Sequence, residues 1–557
     1  MPRKPRDYPR RDTSADGFGN RVERFVLSHF EGLWKLTMSV QWLRKFVNKK
    51  IISAAVMKGR TRPSPYGSMA VHGDSDNPMA GYTSWELMMD KSWFKRHLPQ
   101  NTLGQPGDKR GPLPELKDVR KLYEVKSGDE TMSEDSSVLF ISFAQWFTDG
   151  FLMTDLKDHR KTHTSHHIDC NPLYGLNRDD SDAIRAKSEQ TGKKGRLKTQ
   201  VIPESGEEFA PFLYDDKGKV KPEFAGLRPP LRIDEYFEKV GPERAAEIKK
   251  TVFAFAGERA NSTPYTAMLN ILFLREHNRL AGLLEAEHAD WDDERVFQTA
   301  RNINIVLLIK IVVEEYINHI SSYYFKLEAD PSVCWHAQWN KPNWMPIEFN
   351  LLYRWHSLTP SYFEIGGEQV PGAQILFNHS YLTKLGLGTA MQTASDQRAW
   401  NVGLLNTPDF LVDVELASVR QGRENHLATY NDYREALGFG RVRKFNQITG
   451  DPRRIELLKE LYDNDVNKIE FFVGLFAEDV GRRAALPPLI GRMVGQDAFS
   501  QALTNPLMSE HAFNARTFSK LGMRVIAKTT RLQQILDRNL MGDTGSYKIT
   551  MTLDTYK

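Results

Sequence analysis

The chain has 557 residues, 75 Lys plus Arg against 71 Asp plus Glu, a net charge of +4 and two cysteines. This near-balance excludes a dedicated nucleic-acid binder, whose basic face would dominate the count. Cys170 and Cys334 are too few for a disulfide-rich module or a thiolate zinc site, and they fit a reducing, cytoplasmic compartment.

In chain order, residues 1–20 are basic and polar without an apolar core, and read as a disordered tail rather than a targeting segment. Residues 21–62 carry apolar and aromatic side chains at helical spacing, among them Phe25, Phe30, Leu33, Trp34, Trp42 and Phe46, with Arg44, Lys45, Lys49, Lys50 and Lys58 alongside. The spacing predicts short amphipathic helices; such helices usually pack on their own domain, and this basic flank also suits a membrane interface. A turn-rich passage from Arg62 to Asn77 opens residues 63–557, expected to be one large, mainly α-helical domain with very little sheet. Its clearest helices are predicted at 137–148, 264–283, 293–324 and 345–356. Residues 185–235 are rich in Lys, Gly and Pro and read as a surface excursion of that domain, with hairpin-like turns at most. Even the apolar string NIVLLIKIVVEEYI is broken by Lys310, Glu314 and Glu315, so no membrane span is expected.

The chain lacks a Gly-rich phosphate loop, a GxSxG elbow and an HExxH motif, which leaves the usual nucleotide and hydrolase readings without support. What stands out is a series of long strings: FAQWFTDGF (143–151), HHIDCNPLYG (166–175), AGERANSTPYTAMLNILFLREHNRL (256–280), FQTARNINIVLLIKIVVEEYINHISSYYFKL (297–327) and EFNLLYRWHSLTP (348–360). With YNDYR at 430–434 and FSQAL near residue 500, this ordered set resembles the cyclooxygenase branch of the animal haem peroxidase superfamily.

On residue types alone, Tyr353 and His356 stand three apart, so a helix would put them on one face, most often as two core side chains. The resemblance implies more. It makes His356 the proximal haem ligand and Tyr353 the tyrosine whose radical takes hydrogen from substrate, with haem b as cofactor. On the distal side Gln145 matches the family glutamine, but Asp149 stands where the family has its catalytic histidine. A carboxylate with an ordinary pKa of about 3.9 is a weaker proton relay at neutral pH unless burial raises it. His163, His166 and His167 are nearby substitutes in sequence, although they read more readily as clustered surface histidines. Arg259 falls where broader peroxidase relatives carry a distal arginine, and either completes an altered distal pair with Asp149 or forms a structural salt bridge with it. Ser262 stands at a position where some relatives attach haem covalently, so haem is expected to bind non-covalently.

Along the substrate channel, Tyr323 matches the tyrosine at the mouth, Tyr316 the one behind the radical residue, and Ser500 the serine at the inner end. The arginine that holds the fatty-acid carboxylate in cyclooxygenases falls near Ala55 or Val56 here, which leaves Lys49, Lys50, Lys58 or Arg60 as candidate anchors. Lys157, Asp158, His159 and Arg160 form no convincing calcium loop, so calcium is not expected. The leading reading is a haem-dependent dioxygenase acting on a fatty acid and O2, attached to one membrane leaflet through residues 21–62; a homodimer is compatible with it. The alternatives are a peroxidase acting on small donors and a haem-binding membrane-associated protein without catalysis.

Overall fold

The computed structural model describes residues 9–60, 90, 92–321, 323–481, 484–540 and 545–553. The Arg62–Asn77 passage and the side chains of Lys58 and Arg60 lie outside the described residues.

Three helices begin the chain: α1 (Phe18–Ser28), α2 (Glu31–Ser39) and α3 (Gln41–Arg60). The body is built on α4 (Val138–Asp149), α5 (Pro264–Glu287) and α6 (Asp293–Ile311), joined by α7 (Ile347–Leu352), α8 (Asp409–Glu424), α9 (Tyr430–Ala436) and α10 (Pro488–Leu503). Sheet among the described residues is confined to three two-stranded antiparallel pairs, so the mainly α expectation holds. Helix α5 starts sharply because Thr263 and Thr266 form a reciprocal capping box and Pro264 occupies the first turn. Most of its residues are buried, which makes it the central post against which α4 and α6 pack. Trp146 locks α4 to that post: its indole donates to Asn270 Oδ1 at 3.1 Å and its ring stacks on Phe273 at 4.8 Å.

Helix α6 runs on through a six-residue π segment, Val312–Ile317, to Ile320. By length and composition this helix is apolar enough to cross a membrane, but 83% of its most apolar window is buried in the protein, as in a core helix.

The structure corrects three expectations. Residues 11–20 are not a disordered tail. Arg11 and Asp16 are buried and pair at 2.7 Å, and Asp16 also receives Arg434 at 3.0 Å, whose other arm reaches Glu478. Opposite charges carried by residues far apart in the sequence satisfy each other here, which no local pattern reveals. Although burial alone pushes the Asp16 carboxyl upward, Arg11 and Arg24 pull it down to about 2. Replacing Asp16 by Ala strands these guanidinium groups and is expected to cost about 3–5 kcal/mol in chemical denaturation. Because the folded value lies below the ordinary one, this contribution is present above about pH 4 and is lost as pH falls towards 2.

The 185–235 stretch is not confined to the surface: Leu197, Ile202, Phe209, Leu213 and Phe224 are buried, and Glu207 pairs with Arg275 of α5 at 2.8 Å. Its apolar residues are isolated among Gly and Lys, so they carry no helical or strand period. The 345–356 helix is shorter than expected, ending at Leu352 because the Trp355 indole donates to the Leu352 carbonyl, one of the acceptors a helix end leaves open.

Candidate active site

The early end of α7 decides the geometry of the site. Tyr353 caps α7, and His356 opens a separate 3-10 turn, His356–Leu358, so the two do not share one helix as the sequence spacing predicts. They nevertheless line one cavity of about 330 Å³, together with the intervening Arg354 and Trp355. The Trp355 ring stacks on Tyr353 at 5.0 Å, and Tyr316 lies on from it at 6.4 Å. Tyr316 and Tyr353 therefore both stack on the Trp355 ring. The sequence reading did not single out Trp355; its place between Tyr353 and His356 was the available signal.

Across the cavity, α4 presents Ile141, Gln145, Thr148 and Asp149, residues that recur at helical spacing on one face while Phe140, Phe143, Trp146 and Phe147 point into the core. The segment before α5 adds Arg259, whose Nη1 lies 3.6 Å from Asp149 Oδ1. Burial pushes the Asp149 carboxyl up to about 6 despite that guanidinium. Its proton affinity thus approaches that of an ordinary histidine, near 6.5, and a carboxyl of that kind can both take and return a proton near neutrality. His163 does not join it: it is exposed and pairs with Asp155 at 2.9 Å. His166 is a buried core histidine that stacks on Trp344 and accepts from the Met345 N–H, which corrects its reading as a surface residue. His167 is not among the residues lining the cavity.

The cavity suits haem on the evidence of its own side chains. His356 Nδ1 is buried 3.2 Å from Glu415 Oε2, which leaves Nε2 as the ring nitrogen for an iron ligand. The Tyr353 and Tyr265 hydroxyls and Arg259 Nε belong to residues lining the same space and find no hydrogen-bond partner among the described residues. Arg354, another residue not singled out from sequence, also faces the cavity; burial, then Arg259, lowers its guanidinium to about 10.

The remaining candidates sit elsewhere. Tyr323 is half-buried, and the charges of Glu23, Arg492 and Arg24 act on its phenol, so it lies near α1 and the start of α10. Ser500 is buried on α10 and donates to the Asp497 carbonyl. Neither lines the cavity that holds Tyr353 and His356. Among the carboxylate anchors, Lys49 and Lys50 are exposed on α3, Val56 is fully buried and Ala55 half-buried. Asp155 and Asp158 are committed to nearby backbone N–H groups and Arg160, and among the described residues no three His, Cys, Asp or Glu side chains converge to hold a metal ion.

The profile of the animal haem peroxidase family matches residues 124–550. The chain belongs to that family. Curated relatives include prostaglandin G/H synthase 2 of Equus caballus, 29% identical over 528 residues, covering 93% of this chain and 80% of that protein. Prostaglandin G/H synthase 1 of Mus musculus is 30% identical over 504 residues, covering 89% of this chain and 76% of its own. Among solved structures, the fatty acid alpha-dioxygenase of Oryza sativa superposes with a TM-score of 0.64 at 16% identity, over 91% of this chain and 92% of that one. Peroxidase A of Dictyostelium discoideum superposes with a TM-score of 0.62 at 17% identity, over 88% and 99% of the two chains. At such identities the two structures establish the fold alone. As a member of the animal haem peroxidase family the chain is an oxidoreductase and a haem protein.

Proposed function

We propose that the protein is a haem-dependent fatty-acid dioxygenase in which Tyr353 takes a hydrogen atom from a long-chain or polyunsaturated acid and O2 adds to the carbon left behind. One observation carries the reading: a buried phenol without a hydrogen-bond partner among the described residues shares a cavity with His356 and packs against Trp355. Haem b, held non-covalently by His356, would supply the oxidising equivalent that removes the phenolic hydrogen. Ser262 fits non-covalent binding, because its hydroxyl is committed to the Arg259 carbonyl at 2.6 Å. Once oxidised, the Tyr353 oxygen takes hydrogen from a substrate C–H bond and regains its O–H. Burial, then the negative charge of Asp497, holds the phenol well above its usual range, so it stays protonated at rest. The relatives named prostaglandin G/H synthase and fatty acid alpha-dioxygenase support a lipid substrate. The direct test is oxygen uptake by the haem-loaded protein with a panel of fatty acids; uptake with none of them contradicts the proposal.

Asp149 gives the site a proton relay for activating hydroperoxide, with Arg259 beside it to balance developing negative charge. The carboxylate form is the proton acceptor, so hydroperoxide reduction is expected to rise as pH passes through about 6. Asp149→Asn should remove that limb from the pH profile and lower the rate by roughly 10²- to 10⁴-fold, whereas Asp149→His should leave turnover close to that of the wild type. The same relay supports a second activity, oxidation of small donors at the cavity.

The reading also attaches α1 to α3 to one membrane leaflet. Phe18, Phe25, Phe30, Leu33, Leu36, Trp42 and Phe46 are exposed, with Lys49 and Lys50 on the same segment. Trp34 departs from the pattern: it is half-buried, edge-on to Phe325 and hydrogen-bonded to the Val26 carbonyl. Large apolar surface beside lysines favours anionic lipid. Co-sedimentation with anionic liposomes is therefore expected and should fall sharply in a Trp42→Ser, Phe46→Ser double variant; equal binding by both proteins would contradict it. Cys170 and Cys334 are both free thiols, in keeping with a cytoplasmic setting, and the proposal calls for neither calcium nor nucleic acid. A homodimer is compatible with it.

A further inference from the structure

We infer that Glu415 is a positioning residue for the haem ligand, accepting the Nδ1 proton of His356 and making Nε2 a more electron-rich donor to iron. The inference rests on the reading of His356 as the axial ligand.

Glu415 lies on α8, whose neighbouring residues Phe410, Leu411 and Val414 line the cavity, while Glu415 itself points behind the imidazole and is 1% exposed. Its Oε2 is 3.2 Å from His356 Nδ1, and neither of these two buried atoms has another partner among the described residues. Its Oε1 accepts from the Thr407 hydroxyl at 3.3 Å, and Thr407 is itself fully buried. The carboxylate is thus oriented from one side and aimed at the ring from the other. Its charge reaches two further groups: it opposes the lowering of the Arg354 guanidinium, and after burial it is the next influence raising the Tyr123 phenol.

A buried carboxylate with so few donors is costly unless a neighbour compensates it. The Nδ1–H of His356 is the compensating donor, and the same hydrogen bond fixes which ring nitrogen is left for iron. A carboxylate acceptor shifts electron density towards Nε2, strengthens the ligand and favours the ferric state. Removing a partner of this kind typically weakens metal affinity by about 10- to 100-fold. Nothing in the sequence marks Glu415, which stands 59 positions from His356 in the interior of an otherwise ordinary amphipathic helix.

The test compares wild-type, Glu415→Gln and Thr407→Val proteins, each loaded with haem b and checked for native circular dichroism. Haem affinity, midpoint potential and the iron–histidine stretching frequency of the ferrous form are measured. The inference expects Glu415→Gln to bind haem roughly 10- to 100-fold more weakly, with a higher potential and a lower stretching frequency. Thr407→Val should move the last two in the same direction by less. If Glu415→Gln does not fold, the wild-type frequency decides: a value typical of a carboxylate-paired imidazole supports the pairing, and one typical of an imidazole bonded to a carbonyl or water overturns it. Unchanged potential and frequency in a folded Glu415→Gln protein also overturn it. A His356→Ala control separates the two levels of the argument. If it loses haem while Glu415→Gln is spectroscopically unchanged, only the pairing fails; if it keeps an unaltered haem spectrum, the ligand assignment fails and the pairing with it.

Discussion

Tyr353→Phe is expected to reduce fatty-acid oxygenation to background while hydroperoxide reduction and small-donor oxidation persist. The substitution removes one oxygen atom, and that oxygen has no hydrogen-bond partner among the described residues, so none of their buried donors or acceptors is left unsatisfied. Losing an unpaired buried hydroxyl is close to neutral for stability, or favourable. The ring contacts with Phe349, Phe151 and Trp355 remain available to phenylalanine. What disappears is the only O–H bond at that position able to exchange hydrogen with a lipid. The peroxidase chemistry relies on Asp149, Arg259 and His356, which the change does not touch. Loss of both activities together would mean that Tyr353 supports the cavity, and loss of neither would mean that it is a passive wall residue.

His356→Ala should have the broadest effect, because every proposed activity requires haem. Titration of the purified protein with haem is expected to show affinity reduced by more than the roughly 10- to 100-fold typical of losing a residue that only hydrogen-bonds the ligand. The variant also leaves Glu415 Oε2 without its facing donor, a penalty of about 1–3 kcal/mol that the remaining core should tolerate. Added imidazole should enter the vacated space and restore part of the haem absorption. Full affinity in the variant would move the ligand to another residue.

The large features of the fold were legible because they are periodic or carried by long strings. Helices α4, α5 and α6 appear in the sequence as sustained apolar segments, and the structure keeps them close to their expected positions. The membership of the chain in the animal haem peroxidase family rested on strings whose order survives over most of its length. Legibility failed wherever a contact joins distant residues. Asp16 meets Arg434 across 418 positions, and Glu415 meets His356 across 59, without any local pattern. The end of α7 was missed for a related reason: the Tyr353 to His356 spacing fits a helical turn, and only the Trp355 indole bonded to Leu352 shows that the chain leaves the helix there. Burial was equally invisible at Asp149. The aspartate read as a weakened relay in the sequence, and its enclosure beside Arg259 brings its proton affinity near that of the histidine it replaces.

The most direct measurement is isotopic product analysis: haem-loaded protein is incubated with polyunsaturated and saturated long-chain acids under ¹⁸O2, with Tyr353→Phe in parallel. The account predicts an oxygenated fatty acid carrying label from O2 in the wild-type reaction and none above background in the variant. Labelled product at equal yield from Tyr353→Phe, or donor oxidation by the wild type without any label entering lipid, would contradict it.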